Sequence, residues 1–133
     1  MKKGFVTDIE TATTTNTDYR RVLYTGKFSQ LVLMSLKPGE EIGEEVHDDV
    51  DQFFRFEEGE GEVVIDGVKN PVKDGSGVVV PSGARHNVVN TSKTADLKLY
   101  TIYSPPEHQD GVVRKTKKEA DEQEEHFDGK TTE

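Results

Sequence analysis

The sequence contains no cysteine and no tryptophan, and its apolar runs are short. Without cysteine there is no disulfide, no thiol nucleophile and no thiolate metal ligand, a usage that fits a cytoplasmic protein. The apolar runs at 31–34 and 78–81 are four residues long, far below the roughly 20 that cross a bilayer. After Met1-Lys2-Lys3 only three further residues precede polar sequence, so we expect neither a signal peptide nor a membrane partner.

Positive charge is also scarce. Lysine and arginine total 17 against 26 aspartates and glutamates, which gives a formal net charge of −9. Proteins that bind nucleic acid carry clustered lysine and arginine to neutralise phosphates, and this chain has no such cluster. The composition therefore argues against DNA or RNA as a partner.

The 133 residues predict one all-β domain. Valine (16), threonine (13) and glycine (12) favour strands joined by tight turns, and no helical period interrupts residues 21–103. Turn signals are Asp66-Gly67, Asn70-Pro71 and Asp74-Gly75. The strand candidates are 21–25, 28–36, 51–57, 60–66, 77–80, 85–90 and 97–103. Short strands at near-regular spacing predict a small antiparallel β-barrel or sandwich.

Both ends of the chain are more polar than its middle. Residues 1–20 show no sustained period and are predicted to be a loop or an edge strand. Pro105 and Pro106 end the sheet, which sets the barrel at 21–106 and leaves 107–133 as a charged tail. Within that tail Thr116 and Glu119 have the capping-box spacing, which favours a short helix over 117–126. We expect both ends to add little to the core.

Two segments combine glycines with polar side chains at fixed intervals. In the first, Glu45 and His47 are two apart, so on a strand they share a face, and Gln52 opens the next strand candidate. In the second, a strand meets a Pro-x-Gly turn and the returning strand opens with His86. The full first set is Gly39, Glu45, His47, Gln52 and Gly59, and the second is Gly75, Pro81, Gly83, His86 and Asn90.

At these residues the sequence resembles the cupin superfamily. The first cupin motif is Gly-x5-His-x-His-x3–4-Glu-x6-Gly, and the second is Gly-x5-Pro-x-Gly-x2-His-x3-Asn. The chain matches the second motif at every position and keeps the spacing of the first. More narrowly, it looks like the small single-domain, conserved-barrel cupins labelled mannose-6-phosphate-isomerase-like, a label of similarity rather than activity. The resemblance implies a double-stranded β-helix over about 21–103.

The resemblance also implies one divalent metal ion. Carried over position by position, the ligands are Glu45, His47, Gln52 and His86, with glutamate in place of the first histidine and glutamine in place of the glutamate. The ligand set keeps one negative charge, and its donors suit Zn, Ni, Fe, Mn or Co. The alternatives are a site that has lost its metal and a metal-free pocket. Asn90, Pro81 and the motif glycines are interpreted as structural.

Further candidates lie on the strands beside the motifs. Phe54 and Phe56 share the parity of Gln52, so both are predicted core residues, and Phe54 is also a candidate for binding substrate. Tyr100, Tyr103 and His108 lie on or after the last strand. Glu45, Tyr100 and His108 are candidate catalytic residues and Tyr103 a candidate substrate contact, against the alternative of buried tyrosines with satisfied hydroxyls.

Charge near the first motif bears on the substrate. Residues 39–66 contain twelve acids and one base, Arg55. Most of these acids are expected on the surface, but a field of that sign repels phosphates and oxalate-like dianions from a nearby pocket. This counts against a sugar phosphate as substrate.

Two functions of different classes remain open at this point. One is a metal-dependent enzyme of the dioxygenase, isomerase or lyase type, in which the metal polarises a substrate oxygen and Glu45 or a neighbouring group moves the proton. The other is a non-catalytic module that binds or senses a small molecule. In either case a small barrel with open strand edges is expected to form a homodimer.

Overall fold

The computed structural model describes residues 1–133 and contains ten strands and two helices. The strands are β1 (Arg20–Thr25), β2 (Gln30–Leu36), β3 (Glu45–Val46), β4 (Asp51–Glu58), β5 (Glu60–Ile65), β6 (Val68–Lys73), β7 (Gly77–Val80), β8 (Arg85–Asn90), β9 (Leu97–Ser104) and β10 (Val113–Arg114). The helices are α1 (Ile9–Thr15) and α2 (Lys117–Glu122). No helix has the length and hydrophobicity needed to cross a membrane.

The strands form two antiparallel sheets, which confirms the all-β prediction. One sheet has the order β10-β1-β2-β9-β4-β7 and the other β3-β8-β5-β6. Successive side chains of a strand point to opposite faces, so each strand sends every second residue inward. The core between the sheets includes Phe54, Phe56, Leu97 and Leu99, none more than 1% exposed. Burial of each such side chain stabilises the fold by roughly 1.5–3 kcal/mol.

Three short or edge strands, β3, β6 and β10, were not among the strand candidates. Asn70-Pro71, predicted to be a turn, lies inside β6, where Pro71 pairs with Glu62. The proline is tolerated because β6 is the outer strand of its sheet and the missing N–H faces no neighbouring strand. The Asp66-Gly67 turn is confirmed, since both residues have positive φ, 46° and 81°.

The N-terminal segment contains a helix where a loop or an edge strand was predicted. The Asp8 side chain accepts a hydrogen bond from the Thr11 backbone N–H at 3.1 Å and so caps the start of α1. At the other end the buried Lys98 ammonium donates to the Asn16 carbonyl at 2.5 Å. The sequence did not predict this helix, because threonine favours strands. In the helix, the Thr13 hydroxyl donates to the Ile9 carbonyl.

The C-terminal segment is more than a peripheral tail. Helix α2 begins as predicted, with the Thr116 hydroxyl accepting from the Glu119 N–H at 3.1 Å, but it ends at Glu122 rather than 126. Beyond it the chain crosses the barrel mouth. Tyr19 and Ala120 are the two residues of these ends in the main apolar cluster of 17, which agrees with the expectation that both ends add little to the core.

Candidate metal centre

Three side chains of the two motifs converge at one end of the barrel. Glu45 on β3 is directly paired with His86 on β8, and His47 follows two residues after Glu45. One ligand atom from each of the three lies within 4.8 Å of the other two. The turn of the second motif is tied to the first, because the Gly83 N–H donates to the His47 carbonyl at 2.7 Å. The pairing of β3 with β8 therefore brings distant parts of the sequence together into a Glu–His–His cluster.

His86 is oriented as a metal ligand would be. Its side chain is buried, and its Nδ1 lies 3.2 Å from the Ala84 carbonyl oxygen, which can only accept a hydrogen bond. Nδ1 therefore carries a proton, and Nε2 is the nitrogen available to a metal ion. A backbone carbonyl on one ring nitrogen commonly fixes the tautomer of metal-ligating histidines.

Glu45 and His47 form a hydrogen-bonded pair, with His47 Nε2 donating to Glu45 Oε2 at 2.9 Å. Burial raises the pKa of the Glu45 carboxyl, but the hydrogen bond from His47 and the charges of His47 and His86 outweigh burial and lower it overall. The hydrogen bond to Glu45 raises the pKa of His47, and the Glu107 carboxylate, 3.8 Å from Nδ1, raises it further. Metal binding by these two residues would therefore release a proton from His47.

Gln52 contributes a buried acceptor without a partner. Its Nε2 donates to the Thr101 hydroxyl at 3.0 Å, and that hydroxyl donates to the Phe53 carbonyl at 2.9 Å. These bonds fix the amide so that Oε1 is buried with no hydrogen-bond partner. A buried unpaired acceptor costs about 1–3 kcal/mol, and a cation is the kind of partner that would offset this cost.

Two aromatic candidates pack against the cluster. The Phe54 ring lies 6.2 Å from the His86 ring, and the Tyr103 ring meets the His47 ring edge-on at 6.2 Å. Phe54 is also a core residue, stacked 6.4 Å from Phe56. Tyr103 is 3% exposed, and its hydroxyl lies 3.3 Å from His108 Nε2, so the buried tyrosine has a polar partner.

Tyr100, a candidate catalytic residue, lies away from the cluster. Thr101 and Tyr103 on β9 point into the barrel, so Tyr100 points outward, where its ring lies 6.5 Å from Phe53. This position does not support a catalytic role for Tyr100, which stays a prediction. Because Tyr100 and Tyr103 are three residues apart on one strand, only one of them can face inward.

A cavity of about 210 Å³ opens beside Glu45 and His47, between the barrel mouth and the C-terminal segment. His108 lines it, as do residues that the sequence did not suggest. The latter are Tyr19, Arg20, Ile42, Glu107, Ala120, Asp121, Glu124, Glu125 and His126. No spacing could have indicated Arg20 or Glu125, because their place depends on how the C-terminal segment folds back over the barrel.

The acidic character of the cavity comes from an unexpected part of the chain. Of the twelve acids at 39–66, only Glu45 lines the cavity, whereas its other four carboxylates belong to residues 107–125. The one arginine in the lining is Arg20. Arg85, the base next to the second motif, is exposed and pairs with Glu44 at 2.7 Å.

Comparisons with known proteins agree with this geometry. The family model described as Cupin domain matches residues 32–103. The uncharacterized protein YrkC of Bacillus subtilis is 48% identical over 124 residues, covering 89% of this chain and 66% of YrkC, so the chain spans slightly less than two thirds of that relative. The crystal structure of BH2720 from Bacillus halodurans superposes with a TM-score of 0.88 at 42% identity, covering 91% of this chain and 96% of that one.

A more distant structure belongs to a protein for which an activity has been suggested. This predicted oxalate decarboxylase from Thermotoga maritima is 26% identical, with a TM-score of 0.56 over 59% of this chain and 68% of that one.

Proposed function

Since the chain belongs to the cupin family, whose domain model matches residues 32–103, we propose that it is a metal-dependent enzyme acting on a small organic molecule. The observation that carries the proposal is the cluster of Glu45, His47 and His86, whose ligand atoms lie within 4.8 Å of one another. The reaction would be a dioxygenation, an isomerisation or a lysis. The narrower likeness to mannose-6-phosphate-isomerase-like cupins remains a prediction.

The residues present fit a divalent metal. Two imidazoles and a carboxylate are donors that Zn, Ni, Fe, Mn and Co all accept. Gln52 would be the fourth ligand, which is supported by its buried Oε1 having no partner in the protein. A bound divalent ion would act there as a Lewis acid that polarises a substrate oxygen.

The chain's own residues would bind the substrate and move its proton. The cavity of about 210 Å³ reaches Glu45 and His47 and has room for a small molecule only. Phe54 and Tyr103 pack against the two histidines of the cluster, and their contact with substrate stays a prediction. His108, which is buried and lines the cavity, is the candidate acid–base group.

The charge of the cavity narrows the substrate class. Five carboxylates line it against one guanidinium, Arg20, so its field disfavours dianions. We therefore expect a substrate that is neither a sugar phosphate nor an oxalate-like dianion, which sets this chain apart from the activity suggested for the Thermotoga maritima protein.

Metal binding is tested first, on protein purified without a histidine tag. Elemental analysis should find about one equivalent of a divalent metal per chain, and calorimetric titration of metal-free protein should show one site. His86→Ala should weaken binding at least about 100-fold, and Gln52→Ala about tenfold, because a neutral amide oxygen is the poorer donor. His126→Ala is the matched control, since His126 is exposed and outside the cluster. Unchanged affinity in His86→Ala would contradict the site.

Turnover is tested next, with the metal found in the first experiment. Panels of dioxygenase, isomerase and lyase substrates should reveal an activity that His47→Ala abolishes. Metal binding without turnover across all three panels would instead support the non-catalytic binding or sensing module.

A further inference from the structure

A row of three buried polar side chains runs from the C-terminal segment toward the metal-ligand cluster. Its members are Glu125, His108 and Tyr103, whose side chains or residues are at most 10% exposed. His108 stands in the middle, with Nδ1 3.0 Å from Glu125 Oε1 and Nε2 3.3 Å from the Tyr103 hydroxyl. Tyr103 in turn meets the His47 ring edge-on. Each ring nitrogen of His108 thus faces one polar partner, Nδ1 the Glu125 carboxylate and Nε2 the Tyr103 hydroxyl.

The backbone of His108 is held by a buried amide. Gln30, only 1% exposed, accepts hydrogen bonds from the N–H groups of Glu107 and His108 at 3.2 and 2.9 Å. Its Nε2 donates to the His108 carbonyl at 2.7 Å and to the Thr25 hydroxyl at 2.9 Å. Such an arrangement leaves the imidazole little freedom to move away from its two partners.

Glu125 has His108 as its natural partner. The two facing atoms, Nδ1 and Oε1, are not aligned for a hydrogen bond, yet both are shielded from solvent and neither has another hydrogen-bond partner. Leaving both unpaired would cost about 1–3 kcal/mol each, so a small rotation that aligns them is favoured. Arg114 Nη2 lies 3.2 Å from the other carboxylate oxygen, and Arg20 Nη1 lies 4.0 Å from Oε1.

A carboxylate can only accept a hydrogen bond, so its partner nitrogen must carry the proton. We propose that Glu125 is a positioning residue that fixes His108 as the Nδ1-protonated tautomer, so that Nε2 accepts the Tyr103 hydroxyl proton. Resting on the proposed function, this makes His108, which lines the cavity, the acid–base group of the site. When a substrate group displaces the Tyr103 hydroxyl from His108 Nε2, the substrate proton passes to that nitrogen. The substrate keeps the electron pair, and the Glu125 carboxylate balances the imidazolium.

The charges around His108 agree with this role. Burial lowers the pKa of His108, the adjacent Glu125 carboxylate partly offsets that effect, and the Arg20 charge lowers the pKa again, so the imidazole rests in its neutral form. Glu107 is the other charged group that acts on it.

The test measures the tautomer of His108 by ¹⁵N NMR of the imidazole in metal-free protein at pH 7.5, with His108→Gln to assign the signal. The native protein should show the Nδ1-protonated form. Glu125→Gln should invert it to the Nε2-protonated form, because Arg114 can only donate and so holds the glutamine oxygen, which turns the glutamine NH2 toward Nδ1. Glu122→Gln, an exposed position on α2, is the matched control and should leave the signal unchanged.

A second variant guards against a general loss of structure. Tyr103→Phe keeps the ring and removes the hydroxyl, and it should shift the His108 Nε2 resonance alone. A native Nε2-protonated form, or a Glu125→Gln protein that stays Nδ1-protonated, would overturn the proposal and leave only a structural role for Glu125.

The catalytic role is tested separately, by steady-state kinetics. In the reaction found by the substrate panels, Glu125→Gln should lower kcat at least about 100-fold with KM little changed, and an unchanged kcat would overturn the role of Glu125 in positioning His108 for catalysis. Absence of metal binding would overturn the proposed function and, with it, the catalytic role of His108. The tautomer of His108 is measured in metal-free protein, so that result does not depend on the proposed function.

Discussion

Asn90 holds three stretches of backbone together through one buried amide. Its Nδ2 lies 2.9–3.1 Å from the carbonyl oxygens of Leu36, Lys37 and Ala95, and its Oδ1 accepts from the Ser92 N–H at 3.0 Å. It therefore joins the end of β2 to the loop between β8 and β9. This accounts for an asparagine in the second motif without any part in the metal site.

We expect Asn90→Ala to lower the free energy of unfolding by at least about 2 kcal/mol, because buried carbonyls lose their donor. Chemical denaturation followed by circular dichroism measures this. Ser82→Ala, at an exposed position of the same motif, should change it by less than about 0.5 kcal/mol. Equal stability of the two variants would contradict the structural role of Asn90.

The metal-ligand cluster shows which residues a sequence can and cannot reveal. Glu45, His47 and His86 lie on or beside paired strands at motif spacings, so local rules predict that they face one interior. The period of a strand could have separated Tyr100 from Tyr103, since two residues three apart on one strand point to opposite faces. Glu125 could not be predicted, since its burial results from the tertiary path of a segment that is polar on every face.

At the scale of elements, the C-terminal segment is held chiefly by polar contacts. Helix α2 has six residues and one buried side chain, Ala120, which is too little to be stable alone. The buried Glu125 carboxylate holds this segment against the barrel through its charged partners. Burial raises the pKa of Glu125, but His108 and the arginines Arg20 and Arg114 lower it more, so its pKa in the fold lies below 4.5.

A carboxyl group whose pKa is lower in the folded than in the unfolded protein stabilises the fold at pH values above its unfolded pKa. This stabilisation is lost as the pH falls through its folded pKa. Glu125→Gln should therefore cost about 2 kcal/mol of unfolding free energy at pH 7. This difference from the native protein should shrink as pH falls below about 4.5. Denaturation curves at pH 7, 5 and 3.5 measure it, with Glu122→Gln as control. A difference that is constant with pH would show that the carboxylate charge is not what anchors the segment.

Strands whose polar and apolar residues alternate over several positions could be predicted from the sequence, and the shortest strands could not. The seven strand candidates are all present, with ends shifted by at most two residues. Strands β3 and β10 have two residues each, too few for a period to appear. They exist because longer neighbours, β8 and β1, offer a free edge for pairing.

At the scale of the whole molecule, the two sheets leave four edges, at β10, β7, β3 and β6. Val79 on β7 and Val68 at the start of β6 are 65% and 63% exposed. Exposed edges with apolar side chains invite pairing with another chain. The homodimer expected from the sequence remains a prediction that these edges support.

Light scattering coupled to size exclusion should give a mass near twice 14.9 kDa at micromolar concentration. Val79→Lys should shift the mass toward the monomer if the β7 edge takes part, because a charge there opposes edge-to-edge pairing. Thr91→Lys, at an exposed position away from β7, is the control. A monomeric native protein would contradict the prediction.

The candidate metal ligands occupy one part of the polypeptide, and His108 and Glu125, two of the three members of the proposed row, occupy another. Glu45, His47, Gln52 and His86 all lie within the stretch shared with the cupin family, 32–103, whereas Arg20, His108 and Glu125 lie outside it. Changes in the flanking segments can therefore alter the proposed proton chemistry and the charge of the cavity while the candidate metal ligands stay in place. We therefore expect cupins that act on different substrates to differ most in the segments before and after the shared domain. A comparison of the shared domain alone would miss these differences.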